Sequence, residues 1–250
     1  MTRFRRSILG LPAFGFVLAL VVLAPVASAG PPLFKAVAPY TLYGGFAYTG
    51  SAVLASAGTG ANVLAIAPSF NPSTGIAHQS QQSSSSAGGA HKLQAWSGVQ
   101  NVSFSCPASC SSGNHPVVIL WNVTWAADLN TSCAASPTHL TTFAGARIAL
   151  YGFVTDVSVS PQVTVGHGTH LIFQQVLQNK GGVLAGKTAF YFVVFLAGLT
   201  SGHSYTVTTF IQATTLAASK IGCASFASVL IGSPVGSLAN PTTLEYIKVV

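Results

Sequence analysis

Beyond residue 30, no stretch of this chain repeats its apolar residues every 3.6 positions. Instead, apolar, β-branched or Thr-rich runs recur at residues 46–57, 62–67, 93–104, 117–125, 147–159, 169–177, 188–197, 205–214, 224–231 and 243–250. Gly58-Thr-Gly60, Asn71-Pro72, Asn179-Lys-Gly-Gly182, Ser201-Gly202, Gly232-Ser-Pro234 and Asn240-Pro241 punctuate them. Short runs separated by turn residues cannot build a helical core, and they predict an all-β, antiparallel sandwich of about nine or ten strands. Residues 117–125 show the pattern best. Val117, Ile119, Trp121, Val123 and Trp125 share one parity, while Val118, Leu120, Asn122 and Thr124 share the other. Period-two alternation with one wholly apolar face marks a half-buried strand. Residues 188–197 are apolar on both parities, which predicts a central strand covered on both faces.

The surface of such a sandwich carries few charges. The chain is 50% hydrophobic and 5% charged, with three Asp+Glu in 250 residues, against about 25% charged residues in ordinary domains. The three are Asp128, Asp156 and Glu245. Paired carboxylates, carboxylate-oriented histidines and acidic metal cages all draw on that stock. No GxSxG elbow accompanies the serines and histidines, and a two-carboxylate glycosidase would need two of three isolated acids. The surroundings of Glu245, the sole Glu, do not match the glutamic peptidases. The composition therefore predicts a non-enzymatic protein with no catalytic residues and no cofactor. A secreted hydrolase active at low pH is the remaining enzyme alternative, because a chain with few carboxylates loses little stability when acid protonates them.

The N-terminus predicts export. Arg3, Arg5 and Arg6 precede an apolar run over residues 8–24, and Ala27-Ser28-Ala29 has the small-x-small pattern read by signal peptidase. Residues 1–29 are read as a signal peptide cleaved after Ala29. Arg5-Arg6 also resembles a twin-arginine signal. The competing reading is an uncleaved segment, the one route by which this chain would contact a membrane. Removing residues 1–29 takes three of the ten cations and leaves Lys35, Lys92, Arg147, Lys180, Lys187, Lys220 and Lys248 against three acids, a net charge of +4. These seven are widely spaced. Nucleic acid requires a concentrated basic stripe, so no nucleic-acid partner is expected. The expected location is secreted, extracellular or cell envelope.

Four cysteines remain in the exported portion: Cys106, Cys110, Cys133 and Cys223. An even number in an oxidising compartment predicts two disulfides. Three pairings are open, and the tight CPASC turn favours Cys106 with Cys110 and Cys133 with Cys223. CxxxC with distant single cysteines lacks zinc-site spacing. Three glycosylation sequons cluster at Asn101, Asn122 and Asn130, and the strand pattern places Asn122 on the polar parity of its strand.

Residues 78–89 (HQSQQSSSSAGG) have almost no apolar content and read as a mobile loop inserted in one sandwich domain spanning residues 30–250. Two domains, joined near residue 80 or near Pro137, are the alternative.

The run Leu199-Thr-Ser-Gly-His-Ser-Tyr-Thr-Val207 resembles the tyrosine corner of fibronectin type III and immunoglobulin-like sandwiches, which implies that the Tyr205 hydroxyl bonds back to nearby backbone. The strand-C tryptophan and cysteine pair of true immunoglobulin domains are not spaced that way here. Residues 243–250 are similar to the closing strand of jelly-roll carbohydrate-binding modules.

Gly166-His-Gly-Thr-His170 is the one histidine pair at ligand-like spacing. Residues three apart on a strand face opposite sides, so a surface turn is the reading and no metal site is assigned. The leading functional reading is a secreted or cell-surface structural or interaction protein that associates with itself or with other surface proteins. The alternative is a carbohydrate-binding, lectin-like module in which Tyr40, Tyr43 and Trp96, with Phe46 and Tyr48, stack on sugar rings. Exposure of those rings on one face separates the two.

Overall fold

The structure is a computed structural model and describes residue 34 and residues 39–58, 60–86, 88–133, 142–179, 181–232 and 240–250. The signal segment, Lys35, Lys180 and the alternative boundary near Pro137 lie outside the described residues.

Eleven strands are described: β1 (Phe46–Ala57), β2 (Ala61–Asn71), β3 (Ile76–Ser86), β4 (Ala90–Ser105), β5 (Gly113–Cys133), β6 (Phe143–Asp156), β7 (Val163–Gln178), β8 (Gly181–Leu199), β9 (Ser204–Ala218), β10 (Cys223–Ile231) and β11 (Thr242–Val249). They form an antiparallel sandwich. One sheet has five strands in the order β1-β4-β9-β6-β7. The other has six, in the order β10-β3-β11-β5-β8, with β2 paired to β3. Along its far edge β5 pairs with β8, and on its near edge it pairs first with β11 and then with β10.

Alternation builds the core. Val117, Ile119, Trp121 and Val123 of β5 are fully buried, facing Ile148, Leu150 and Val154 of β6 and Val207, Ile211 and Ala213 of β9. Trp121 spans the two sheets: its Nε1 donates to Thr209 Oγ1 at 3.1 Å, and that hydroxyl donates to the Tyr151 carbonyl at 2.7 Å.

Two expectations are corrected. The Ser/Gln-rich segment is no loop, since residues 76–86 are strand β3, paired with β2 on one side and mainly with β10 on the other. Its inward residues Gln79, Gln81, Ser83 and Ser85 are buried. Polar side chains are tolerated inside when they find hydrogen-bond partners. Gln79 Nε2 donates to the Ala95 carbonyl, Ser83 bonds Thr215 at 2.7 Å, and Ser85 bonds Ser219 and the Gly89 carbonyl. Ladder pairing on both edges and this polar layer replace the apolar burial that the segment lacks.

The second correction concerns residues 188–197. They lie in β8, which is the edge of its sheet rather than its centre. Val193, Phe195 and Ala197 face the core, but Phe190, Phe192, Val194 and Leu196 are 60%, 47%, 62% and 58% exposed. A continuous apolar run is ambiguous between burial on both faces and one buried face backed by an open apolar one, and β8 is the second case.

Disulfides join Cys106 to Cys110 and Cys133 to Cys223. The second sits on the register pair that begins β10 and ends β5. At the opposite end of the sandwich, Thr200 N donates to the Tyr205 hydroxyl at 2.6 Å, and that hydroxyl donates to the Thr200 carbonyl. This local bonding has the geometry of a tyrosine corner. The Cys106–Cys110 turn is pinned beside it by Cys106 N to the His203 carbonyl and Gly202 N to the Cys106 carbonyl.

Candidate functional site

Side chains on alternate positions of adjacent strands form rows across a sheet. On the outer face of the five-stranded sheet, one row holds Tyr48, Gly98, Phe210, Tyr151 and Thr169. The next holds Gly50, Trp96, Gln212, Ala149 and Leu171, and a third holds Ala52, Gln94, Thr214, Arg147 and Gln174. The first two rows, with Phe153, carry a cluster of aromatic rings; the third is polar.

The rings are packed against one another. The Phe210 centroid lies 5.2 Å from Tyr48, 5.0 Å from Tyr151 and 6.0 Å from Phe153. The Tyr151 and Phe153 planes differ by 3°, and Phe210 lies within 22° of both. Tyr48, Trp96, Tyr151 and Phe153 are half-buried, with Phe210 beneath them. Gly50 makes room for Trp96, because a Cβ there would collide with the indole. The Trp96 Nε1 has no hydrogen-bond partner.

Beside the rings lies a groove of about 320 Å³, lined by Leu54, Lys92, Gln94, Arg147, Gln174, Val176, Gln212, Thr214 and Leu216. Arg147 Nη1 donates to the Tyr151 hydroxyl at 2.8 Å, which ties the polar row to the aromatic rows. Three amides and a hydroxyl, each able to donate and to accept, therefore sit next to an aromatic cluster in which the Tyr151 and Phe153 planes are nearly parallel.

The residues expected from sequence are dispersed. Trp96 and Tyr48 reach this face. Tyr40 does not: it is 5% exposed, packs on Phe104 and bonds His115 Nδ1 at 3.0 Å. Burial, and secondarily the Tyr205 charge, raise its hydroxyl above the ordinary tyrosine range. Tyr40 is thus a core residue with no ring face for a ligand. Tyr43 is 61% exposed but bridges to Ser103, seven residues along β4 from Trp96, roughly 20 Å at strand rise. Phe46 is exposed at the start of β1. Arg147, Tyr151, Phe153, Phe210 and the three glutamines were missed. Their signal is the lone cation Arg147 sharing parity with Tyr151 and Phe153 in a strand that is otherwise apolar up to Val154.

The acids are also apart. Asp156 is buried, and its Oδ2 lies 2.7 Å from His203 Nδ1, while its Oδ1 accepts from Ser158 N. This pair ties the end of β6 to the turn before β9. Asp128 lies on β5, and Glu245 on β11 accepts from Thr243 Oγ1. His167 and His170 lie on opposite faces of β7, His170 inward against Tyr191. Among the described residues, no group of three His, Cys, Asp or Glu could hold a metal ion. Asn101 and Asn130 are exposed, and Asn122 is half-buried between Phe190 and Thr243 on neighbouring strands.

Fold and disulfides define a disulfide-linked antiparallel β-sandwich. No protein-family model matches the chain, and no curated protein matches it. Among solved structures, the family 11 carbohydrate-binding module from Clostridium thermocellum, in complex with a β-1,3-1,4-mixed-linked tetrasaccharide, aligns with 76% of this chain and 94% of its own. The identity is 7% and the TM-score 0.14, a likeness that carries no argument about fold or ligand. Among the described residues, no helix is long and apolar enough to cross a membrane, a statement that does not bear on β-barrels.

Proposed function

We propose that this is an exported glycan-binding protein whose ligand lies across the outer face of the five-stranded sheet. The observation that carries the reading is the juxtaposition, on one sheet face, of the half-buried aromatic cluster Tyr48, Trp96, Tyr151 and Phe153 with a groove beside it lined by Gln94, Gln212, Gln174 and Thr214. A sugar ring offers an apolar C–H face and a rim of hydroxyls that both donate and accept. The aromatic rows suit the first and the amide row suits the second. Small-ligand sites commonly combine an apolar wall with a few convergent polar groups. Export through residues 1–29 belongs to the same reading, and the two disulfides suit an oxidising exterior.

The test is retention of the protein by immobilised or gel-embedded polysaccharides. Trp96→Ala should weaken binding about tenfold, since covering about 60 Å² of ring at 25 cal/mol per Å² corresponds to about 1.5 kcal/mol. Because the indole packs over Gly50, the variant should lose some stability, and its retention is compared below its own unfolding transition. Equal retention of parent and variant would remove Trp96 from the site, and no retention on any polysaccharide would remove the reading.

A second reading, a self-associating surface protein, is favoured by the open apolar row on β8. Exposed apolar patches of this kind mark interaction sites. Sedimentation velocity should then show a concentration-dependent dimer that Phe192→Ser abolishes. A monomer at every concentration would end this reading.

A further inference from the structure

The outer face of the five-stranded sheet carries no carboxylate. Its strands contain one acid, Asp156, and that side chain is buried and held by His203. Asp128 and Glu245 belong to the other sheet. The same five strands contain two permanent cations, Lys92 on β4 and Arg147 on β6, and both line the groove. They are separated by β9 and offset by one residue pair, so their Cα atoms stand about 10 Å apart across the sheet and about 7 Å along it.

Neither cation has a carboxylate partner, since the ion pair formed among the described residues is the distant His203–Asp156. Arg147 is half-buried, and one of its N–H groups is spent on the Tyr151 hydroxyl. A guanidinium has five such donors in a planar fork that matches a carboxylate. A partly desolvated cation without a counter-ion is costly unless something anionic completes it.

We infer that, given a glycan in this groove, the glycan is acidic: a chain whose rings carry carboxylates, with the ring faces on Trp96 and Tyr151 and the carboxylates on Arg147 and Lys92. The inference rests on the glycan reading and adds the charge class of the ligand. Arg147 sets the preference through its fork, and Lys92, which is exposed, adds a point charge at the far end of the groove.

The experiment compares the intact disulfide-linked protein on a polyuronate and on the same polymer after carboxyl reduction, which keeps the rings and removes the charge. A sulfated polysaccharide and a single-stranded oligonucleotide complete the panel. The polyuronate should bind about tenfold tighter than its reduced form, the worth of one charge-assisted hydrogen bond. That preference should vanish in 1 M salt, where screening acts over about 3 Å. Lys92→Gln/Arg147→Gln should bind both polymers equally, at the parent's affinity for the reduced form. Arg147→Lys, which keeps the charge without the fork, should retain part of the preference and guards against a folding defect. Equal binding of charged and reduced polymers by the parent overturns the inference and leaves the glycan reading standing. Equal binding of the oligonucleotide or the sulfated polymer also overturns it, because the groove would then be a general polyanion site. Binding of neither sugar polymer overturns both.

Discussion

Replacing both Cys133 and Cys223 with serine should lower stability by about 4–5 kcal/mol, the entropy released when a long loop is opened in the unfolded chain. The bond spans a sequence separation of 90 and fastens the end of β5 to the start of β10. Cys106–Cys110 spans only 4, and the same relation gives about 2 kcal/mol for its loss. The two double-serine variants therefore form a matched pair. Thermal or denaturant unfolding should show the Cys133/Cys223 variant as the weaker by a clear margin. Equal losses, or a larger loss from the short loop, would show that the covalent frame does not act through chain entropy here.

Trp121→Ala should cost about 3–5 kcal/mol, the range for removing a large buried aromatic, and lower the Tm by about 6–20 °C. The side chain is fully buried against Phe70 and bridges the sheets through Thr209. Trp121→Phe keeps most of the volume and removes only the indole donor. Thr209 still donates to the Tyr151 carbonyl in that variant, so the loss should be about 1–2 kcal/mol. Calorimetric unfolding of the two variants separates packing from the hydrogen bond. A Trp121→Ala loss below that of Trp121→Phe would show that the site collapses around the deletion.

How much of this was legible in the sequence depended on whether a segment's environment was local. The parity of residues 117–125 placed Trp121 and its neighbours correctly, because in a strand buried on one face the alternation is itself the burial pattern. Residues 76–86 carry no such alternation of hydrophobicity. Their order comes from β2 and β10, and from Thr215 and Ser219 across the sandwich, partners whose approach is a matter of topology. Residues 188–197 depart from the expected central position for the opposite reason: an apolar run says that a face is apolar, not that anything covers it.

The candidate site divides the same way. Tyr40, Tyr43 and Trp96 suggested themselves as aromatic residues of an exported chain. Packing on Phe104 and His115 takes Tyr40 into the core, a bridge to Ser103 holds Tyr43 far from Trp96, and strand register, invisible in one sequence, brings Gln212 and Arg147 within two strands of Trp96. Arg147, Tyr151 and Phe153 share a parity that a reader of β6 could have noticed. Nothing in the sequence aligns them with Gln94 and Gln212.

The most direct measurement of the central claim is intrinsic fluorescence during titration with an oligosaccharide that the protein binds. Of the three tryptophans, Trp121 and Trp125 are buried in the core and Trp96 is half-buried on the grooved face. A ligand in the groove should shift or quench the emission along a saturating curve, and Trp96→Phe should abolish that signal while binding persists by calorimetry. Saturable binding that leaves the parent's emission unchanged, or a change that survives in Trp96→Phe, would place the ligand elsewhere on the protein and contradict the assignment of this face.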